Sequence, residues 1–171
     1  MKLTVAQKII ASFGLFGILV LLAGCPYSSS VPFDEGTVKV PTNLAGKWIK
    51  SSDKETANPT YFEITLDDKT NATALKYEYS SSDSTYESTK YHFTFSDVDG
   101  EVFMNVMEDG GSSYSLFKFK FNENAGEITT YEVTDYIKES FSSSGDLKKF
   151  ISKNKSMSYF FTNTEDTYVR M

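Results

Sequence analysis

The chain is poor in the residues that most often build catalytic and metal sites. It contains one cysteine, one histidine and one tryptophan in 171 residues. A single thiol forms no internal disulfide, so a hydrophobic core must hold the fold together. One histidine gives a catalytic triad or a zinc site little to be built on. The sequence therefore predicts no enzymatic activity, no catalytic residues, no metal and no cofactor.

The chain also lacks an excess of positive charge. Lys and Arg number 17 against 23 Asp and Glu, which gives a net charge of −6. An acidic surface repels phosphate backbones and anionic bilayers. These charges exclude nucleic acid as an expected partner.

A long hydrophobic run occurs only at the N-terminus. After Lys2 and Lys8, residues 9–22 are apolar except for Ser12 and two glycines. This run of about 14 residues is shorter than the roughly 18 to 20 that cross a bilayer as a helix. A short basic segment followed by such a run is typical of a cleaved signal peptide.

The hydrophobic run ends in Leu22-Ala23-Gly24-Cys25, which resembles the lipobox of bacterial lipoproteins. The resemblance implies that residues 1–24 are removed and that the Cys25 thiol receives a diacylglycerol group. The protein would then be lipid-anchored in the bacterial cell envelope, with the membrane as its partner through the N-terminal lipid. In that family an Asp after the cysteine favours the inner membrane, and Pro26 therefore favours the outer one. An uncleaved signal anchor with a chance cysteine is the alternative.

The remaining 147 residues have the size and composition of one globular domain. Without the two N-terminal lysines, 15 cations face 23 carboxylates, and the charge becomes −8. Residues 25–42 contain three prolines and a run of three serines, which predicts a flexible tether. Residues 43–171 are then the folded domain, and a chain of this size buries about 70% of its unfolded surface.

After the tether, apolar residues recur at every second position. Residues two apart on a helix point roughly 200° from each other, so this alternation indicates strands with one buried face. Turn residues separate the segments at short intervals, which favours an antiparallel meander. The alternating sets are Phe62, Ile64 and Leu66; Leu75, Tyr77 and Tyr79; Tyr91, Phe93 and Phe95; and Phe117, Phe119 and Phe121.

The expected strands fall into an all-β arrangement with a single helix. We place strands near 46–51, 60–66, 72–80, 88–96, 101–108, 114–121, 127–137, 157–162 and 166–170. One short helix begins at Ser143 or Ser144, with Leu147, Phe150 and Ile151 on one face. It is expected to lie over a barrel mouth or against an outer strand, and a role as a lid is the functional alternative.

The segment Gly46-Lys47-Trp48 resembles the Gly-x-Trp motif that opens the first strand of lipocalin-like domains. In that family the tryptophan packs over the base of an up-and-down barrel. The resemblance implies an antiparallel meander that closes into a lipocalin-like barrel of about eight strands, and Arg170 loosely matches an arginine that the family has near its end. The alternative is that Trp48 is simply a core aromatic residue.

Other motifs favour structure over chemistry. Asp97, Asp99 and Glu108 invite comparison with a calcium loop, but an EF-hand needs glycine where this chain has Val102, and a hairpin is favoured. His92 alternates with apolar neighbours and is expected to point outward. Paired carboxylates could support glycosidase chemistry, but the acidic residues lie mostly in turns.

Aromatic residues are unusually frequent, with 14 Phe and 11 Tyr. Tyrosines on apolar faces suggest either a wet lumen or the edge of a core. We therefore expect a small hydrophobic ligand or lipid in the barrel, although side chains alone can fill an eight-stranded barrel. The predicted lining residues are Trp48, Tyr77, Tyr79, Tyr91, Phe93, Phe119 and Tyr131.

These observations predict a non-enzymatic, lipid-anchored binding protein of the cell envelope. The alternative is an interaction or inhibitor protein that acts through its loops and has a filled barrel. The identities of the ligand and of any protein partner are left open by the sequence.

Overall fold

The computed structural model describes residues 27–162 and 165–171. The signal peptide and Cys25 lie outside the described residues, so the cleavage and the lipid anchor remain predictions. In the described part no helix is both long enough and apolar enough to cross a membrane.

The described chain forms nine strands, one α-helix and two short 3-10 turns. The 3-10 turns are Thr42–Leu44 and Ser51–Asp53, and the helix α1 is Ser144–Asn154. The strands are β1 Ser28–Ser29, β2 Gly46–Lys50, β3 Tyr61–Leu66, β4 Asn71–Ser80, β5 Thr85–Val98, β6 Glu101–Glu108, β7 Tyr114–Asn122, β8 Glu127–Glu132 and β9 Asp166–Arg170.

Strands β2 to β9 form a closed antiparallel barrel. Each strand pairs with the next along the chain, and β9 returns to pair with β2, where Ile49 lies opposite Val169. The predicted all-β meander of about eight strands with one helix near its end is confirmed. Closure leaves no barrel strand with an unpaired edge along its length.

The turns between the strands follow their local sequence. Asp99 and Gly100 both have positive φ, which two-residue hairpin turns of the favoured hand require. Asp97 accepts a hydrogen bond from the Gly100 amide at 3.1 Å, and β6 follows directly. The expected hairpin at this position is confirmed.

Two other strand predictions need correction. The eighth strand ends at Glu132 and does not extend to residue 137. Residues 157–162 are mostly turn and contribute a single bridge, between Phe161 and Val133. The alternation of apolar residues stops there, so nothing keeps this segment extended along a neighbour.

The helix α1 packs against the outside of the barrel and not over its mouth. Ser143 caps it by accepting a hydrogen bond from the Asp146 amide, and Leu147 and Ile151 are fully buried. Its C-terminal end lies beside the turn between β5 and β6, where Lys155 binds the Val98 carbonyl at 3.0 Å. The prediction of packing against outer strands is confirmed, and this position gives no support to a lid.

The predicted flexible tether is wrong for its described part. Residues 27–45, here called the N-terminal strap, run along the barrel and bury Tyr27, Phe33 and Val40 at 6%, 0% and 2% exposure. The prolines and serines of this segment drew attention away from its apolar residues. These residues lie two positions apart, first at Val31 and Phe33 and then at Val38 and Val40. The strap therefore belongs to the folded domain.

The strap joins two hydrophobic clusters. One fills the closed half of the barrel interior and includes Val40 and Leu44. The other lies outside the barrel, where Phe33 packs edge-on against Phe103 beside the buried face of α1. Each cluster includes residues of the strap, so each is incomplete without it.

A buried polar network fixes the strap to the outer face of the sheet. The Asn105 side chain accepts a hydrogen bond from the Phe33 amide at 2.8 Å and donates to Thr94 and Ser96. Ser96 donates to Asp34, and Lys148 of α1 forms an ion pair with the same carboxylate. Every buried polar group here has a partner, which specifies one position for the strap.

Candidate functional site

One end of the barrel is closed around Trp48. Its indole is 1% exposed and its Nε1 donates to the Leu44 carbonyl at 2.8 Å. The Arg170 guanidinium lies 4.7 Å from the ring centroid and also donates to the carbonyls of Asn43 and Ala45. This cap joins the end of the strap to the first and last strands of the barrel.

Gly46 is required by the position of Arg170. Its φ is +134°, and a Cβ atom at this residue would lie 2.6 Å from Arg170 Nη1. Any side chain here would push the guanidinium off Trp48 and would strain the backbone as well. The Gly-x-Trp motif thus has a geometric reason in this chain.

Above the closed end the barrel encloses a cavity of about 460 Å³. This volume is within the range of about 300–1,000 Å³ that is usual for small-molecule sites. The surface of the cavity is mostly aromatic and aliphatic. Phe93, Phe95, Phe117, Phe119, Met104 and Ile128 account for much of its lining.

The cavity opens at the end of the barrel opposite Trp48. Leu44, Trp48 and Phe95 at the closed end are about 1% exposed, whereas Phe62, Tyr91 and Phe117 towards the other end are partly exposed. Strands β3, β5 and β7 begin at this open end. We call this end the mouth.

Polar and charged side chains share the inward face near the mouth. Lys50 forms an ion pair with Asp166 at 2.5 Å, and Lys76, which lines the cavity, forms one with Glu78 at 2.8 Å. Each lysine is therefore already neutralised by a carboxylate of the chain. Glu132, Ser115 and Tyr168 also line the cavity.

Burial and neighbouring acids shift the pKa values of two of these groups. The pKa of Glu132 is raised by burial and then by the charge of Asp166. Burial, followed by the same Asp166 charge, also raises the pKa of the Tyr168 hydroxyl. Both shifts follow from placing an acid where water is scarce and a negative charge is close.

Four of the seven predicted lining residues are in the cavity wall and three are not. Trp48, Tyr91, Phe93 and Phe119 line the cavity. Phe117, Phe119 and Phe121 face inward as predicted, while Lys118 and Lys120 lie outside against Glu101 and Tyr131. Tyr77, Tyr79 and Tyr131 are on the outer face.

The misplaced tyrosines of β4 form a cluster on the outside of the barrel. Tyr77 stacks on Tyr61 with ring centroids 4.7 Å apart, and Tyr86 meets the edges of Tyr61 and Tyr79. The inward face of β4 consists instead of Ala72, Ala74 and Lys76. Tyr131 likewise points outward and donates to Glu165 at 2.6 Å.

The cavity residues that were missed from the sequence include three with an ionisable side chain, namely Lys76, Glu132 and Tyr168. A signal for Glu132 was present in its own strand, because it follows the inward-facing Ile128 and Thr130 at every second position. The inward face of Tyr168 is set by its pairing with Ile128, which the sequence alone does not show. A charged residue on an otherwise apolar face is the feature to search for.

The single histidine of the chain is not part of the cavity wall. His92 faces outward, as predicted, and its Nε2 lies 2.7 Å from Asp109 Oδ1. Within residues 27–162 and 165–171, no group of three His, Cys, Asp or Glu side chains is placed to hold a metal ion.

Comparisons with protein-family models, with curated proteins and with solved structures found no match to this chain. The argument for ligand binding therefore depends on the barrel and its cavity.

Proposed function

We propose that the protein is a lipid-anchored binding protein of the bacterial cell envelope that holds a small hydrophobic molecule or lipid inside its barrel. One observation supports this function above the others, namely the apolar cavity of about 460 Å³. A barrel maintained only for stability would be expected to fill this space, because unfilled volume costs stability. The aromatic lining is suited to rings and alkyl chains, and the polar groups at the mouth are suited to a head group.

The cap formed by Trp48 and Arg170 supports the resemblance to lipocalin-like domains. We propose membership of that class on this contact, on the Gly-x-Trp motif and on the meander. The lipobox supports anchoring through an acylated Cys25, with the outer membrane favoured over the inner by Pro26.

A variant that fills the mouth tests ligand carriage. Ser115 lines the cavity and lies opposite Val106, so Ser115→Phe places a ring in the cavity opening. Lipid bound non-covalently to the acylated chain would be extracted and quantified by mass spectrometry. We expect the wild-type chain to retain a stoichiometric ligand and the variant to lose it. Equal recovery from both would contradict carriage in the barrel.

A matched control makes the same serine-to-phenylalanine substitution at a position outside the cavity. Ser88→Phe adds the same ring to an exposed outward position of β5, opposite Tyr77. It should retain as much lipid as the wild type.

The outer tyrosine cluster favours a second candidate function, binding of a protein partner. The end of the β4–β5 hairpin extends past the two neighbouring strands. On one side β3 begins only at Tyr61, opposite Tyr77, and on the other side β6 ends at Glu108, opposite Tyr91. Tyrosine is enriched in protein interfaces because its ring buries area with little loss of entropy. Pull-down from the native envelope with the wild type and with Tyr79→Ser would test this candidate.

A further inference from the structure

Glu132 is the one carboxylate that lines the cavity, and it lacks a partner in the described chain. It lies opposite Phe117 on the inward face of β8, with Thr130 deeper on the same strand. No described hydrogen-bond donor or cation lies within bonding distance of its carboxylate. Acidic groups that border an apolar cavity are usually compensated, because burial of an unpaired charge is costly.

The cations nearest the mouth are not free to compensate it. Lys50 is held by Asp166 and Lys76 is held by Glu78, at the distances given above. The charged group that acts on Glu132 is Asp166, which is also an acid and which opposes ionisation of Glu132. A ligand with a carboxylate head group would therefore meet an acidic mouth whose two lysines are already paired.

We propose that the cavity takes an amphiphile whose head group is a primary ammonium, held by the Glu132 carboxylate while the alkyl chain lies among the phenylalanines. This inference rests on the proposed function, since it assigns the head group of the ligand that the barrel holds. An ammonium donates three hydrogen bonds and supplies the missing positive charge. The other polar side chains of the cavity wall are Ser115, Thr130, Tyr168 and Lys76, and Lys76 is already paired with Glu78.

Trp48 provides a direct measurement of occupancy. It is the only tryptophan of the chain and lines the closed end of the cavity. The full acylated chain would be placed in phosphatidylcholine vesicles and titrated with an ω-bromoalkylamine, an ω-bromoalkanol and an ω-bromoalkanoate of equal chain length. Bromine quenches tryptophan only at short range, so quenching reports a chain inside the barrel.

We expect the amine to quench at a lower concentration than the alcohol or the acid. Glu132→Gln should raise the half-quenching concentration of the amine by about tenfold or more, as loss of a hydrogen bond to a charged group implies. The same variant should leave the alcohol unchanged, which also shows that it folds. Glu63→Gln, on the outward face of β3 between the inward-facing Phe62 and Ile64, is the matched control and should leave all three titrations unchanged.

Each outcome has one interpretation. Equal quenching by amine and alcohol, or preference for the acid, would overturn the ammonium head group and leave carriage in place. Quenching by none of the three probes would contradict carriage itself. If Glu132→Gln does not fold, the order of the three probes on the wild-type chain still decides the proposal.

Discussion

At the scale of single residues, the side chain of Arg170 covers the indole ring of Trp48. Its planar guanidinium stacks on the indole and also donates to two carbonyls at the end of the strap. A lysine has the same charge but cannot stack as a plane or donate in a fork. The contact therefore depends on the shape of the side chain as well as on its charge.

We predict that Arg170→Lys lowers the free energy of unfolding by about 1 to 2 kcal/mol, from the loss of a cation–π contact and a hydrogen bond. Urea unfolding followed by Trp48 fluorescence would measure it, together with a red shift of the native emission as water reaches the indole. Lys39→Ala, at an exposed strap position, should move the midpoint little. An unchanged midpoint for Arg170→Lys would mean that the cap does not contribute to stability.

Cys25 carries the prediction of the membrane anchor. We predict that Cys25→Ser prevents acylation and leaves the precursor unprocessed, because the serine offers no thiol to the lipid transfer. Labelled palmitate incorporation and the size of the chain on a gel would be measured in a bacterial host. Normal labelling of the serine variant would exclude this residue as the anchor.

At the scale of elements, the strap and α1 meet at Asp34. Burial disfavours its charge, but hydrogen bonds from Lys148 and Ser96 outweigh burial and hold the pKa of Asp34 below its ordinary value. A carboxylate with a depressed pKa stabilises the fold above its unfolded pKa of about 4, and this stabilisation is lost as the pH falls through the folded pKa. The docking of the strap is therefore sensitive to acid.

We predict that Asp34→Asn reduces stability at neutral pH and flattens its dependence on pH below about 4. Unfolding free energies measured from neutral pH downward would show the two curves converging in acid. Glu35→Gln, next in the chain and exposed, should follow the wild-type curve. Parallel curves for Asp34→Asn and the wild type would assign the acid sensitivity to other carboxylates.

The alternation of apolar residues predicted where the strands lie, but it was less successful in predicting which face of each strand points into the barrel. Between residues 117 and 121 of β7, phenylalanines alternate strictly with lysines, so Phe117, Phe119 and Phe121 could be placed inward from the sequence. In β4 the outward tyrosines are larger and more apolar than Ala72 and Ala74, which nevertheless face the interior because Phe93 and Tyr91 lie opposite them on β5. The packing of a small residue against a large one depends on which residues of two strands lie opposite each other. The sequence of one strand alone therefore does not predict it.

The same limit explains the strap and the candidate site. Composition predicted a tether because prolines and serines are frequent in residues 26–42, and the apolar side chains there find partners only once the barrel has folded, Phe33 on its outer face and Val40 in the interior cluster. The cavity wall was predicted in part, through Trp48, Tyr91, Phe93 and Phe119. Glu132 and Lys76 were missed because a charged residue on an inward face contradicts the pattern used to find that face.

At the scale of the whole molecule, the strap links the two hydrophobic clusters, and we expect them to unfold as one cooperative unit. Phe33 is fully buried in the outer cluster, while Val40 and Leu44 belong to the inner one. Residues in the same strap are thus fixed by both clusters. Loss of either should release the strap from both.

We predict that Phe33→Ala lowers the midpoint of urea unfolding followed by Trp48 fluorescence. This is expected although Phe33 belongs to the outer cluster and Trp48 to the inner one. The expected loss is about 3 to 5 kcal/mol, as for other fully buried phenylalanines. Hydrogen exchange of the α1 amides should report the same transition. Tyr136→Ala, at a 72% exposed position, is the control. A lowered stability of α1 with an unchanged Trp48 midpoint would show that the clusters unfold independently.

The strap begins at Tyr27, only two residues after the predicted lipid anchor at Cys25, and this short distance determines how the domain would lie on a bilayer. Tyr27 donates its amide to the Val133 carbonyl at 3.2 Å, next to Glu132 at the mouth, and Cys25 is only two residues before it. Two extended residues span about 7 Å. If Cys25 is acylated, the barrel is held against the membrane surface by its mouth half, with little freedom to turn. An alkyl chain could then leave the leaflet and enter the cavity by lateral diffusion, without ever dissolving in water.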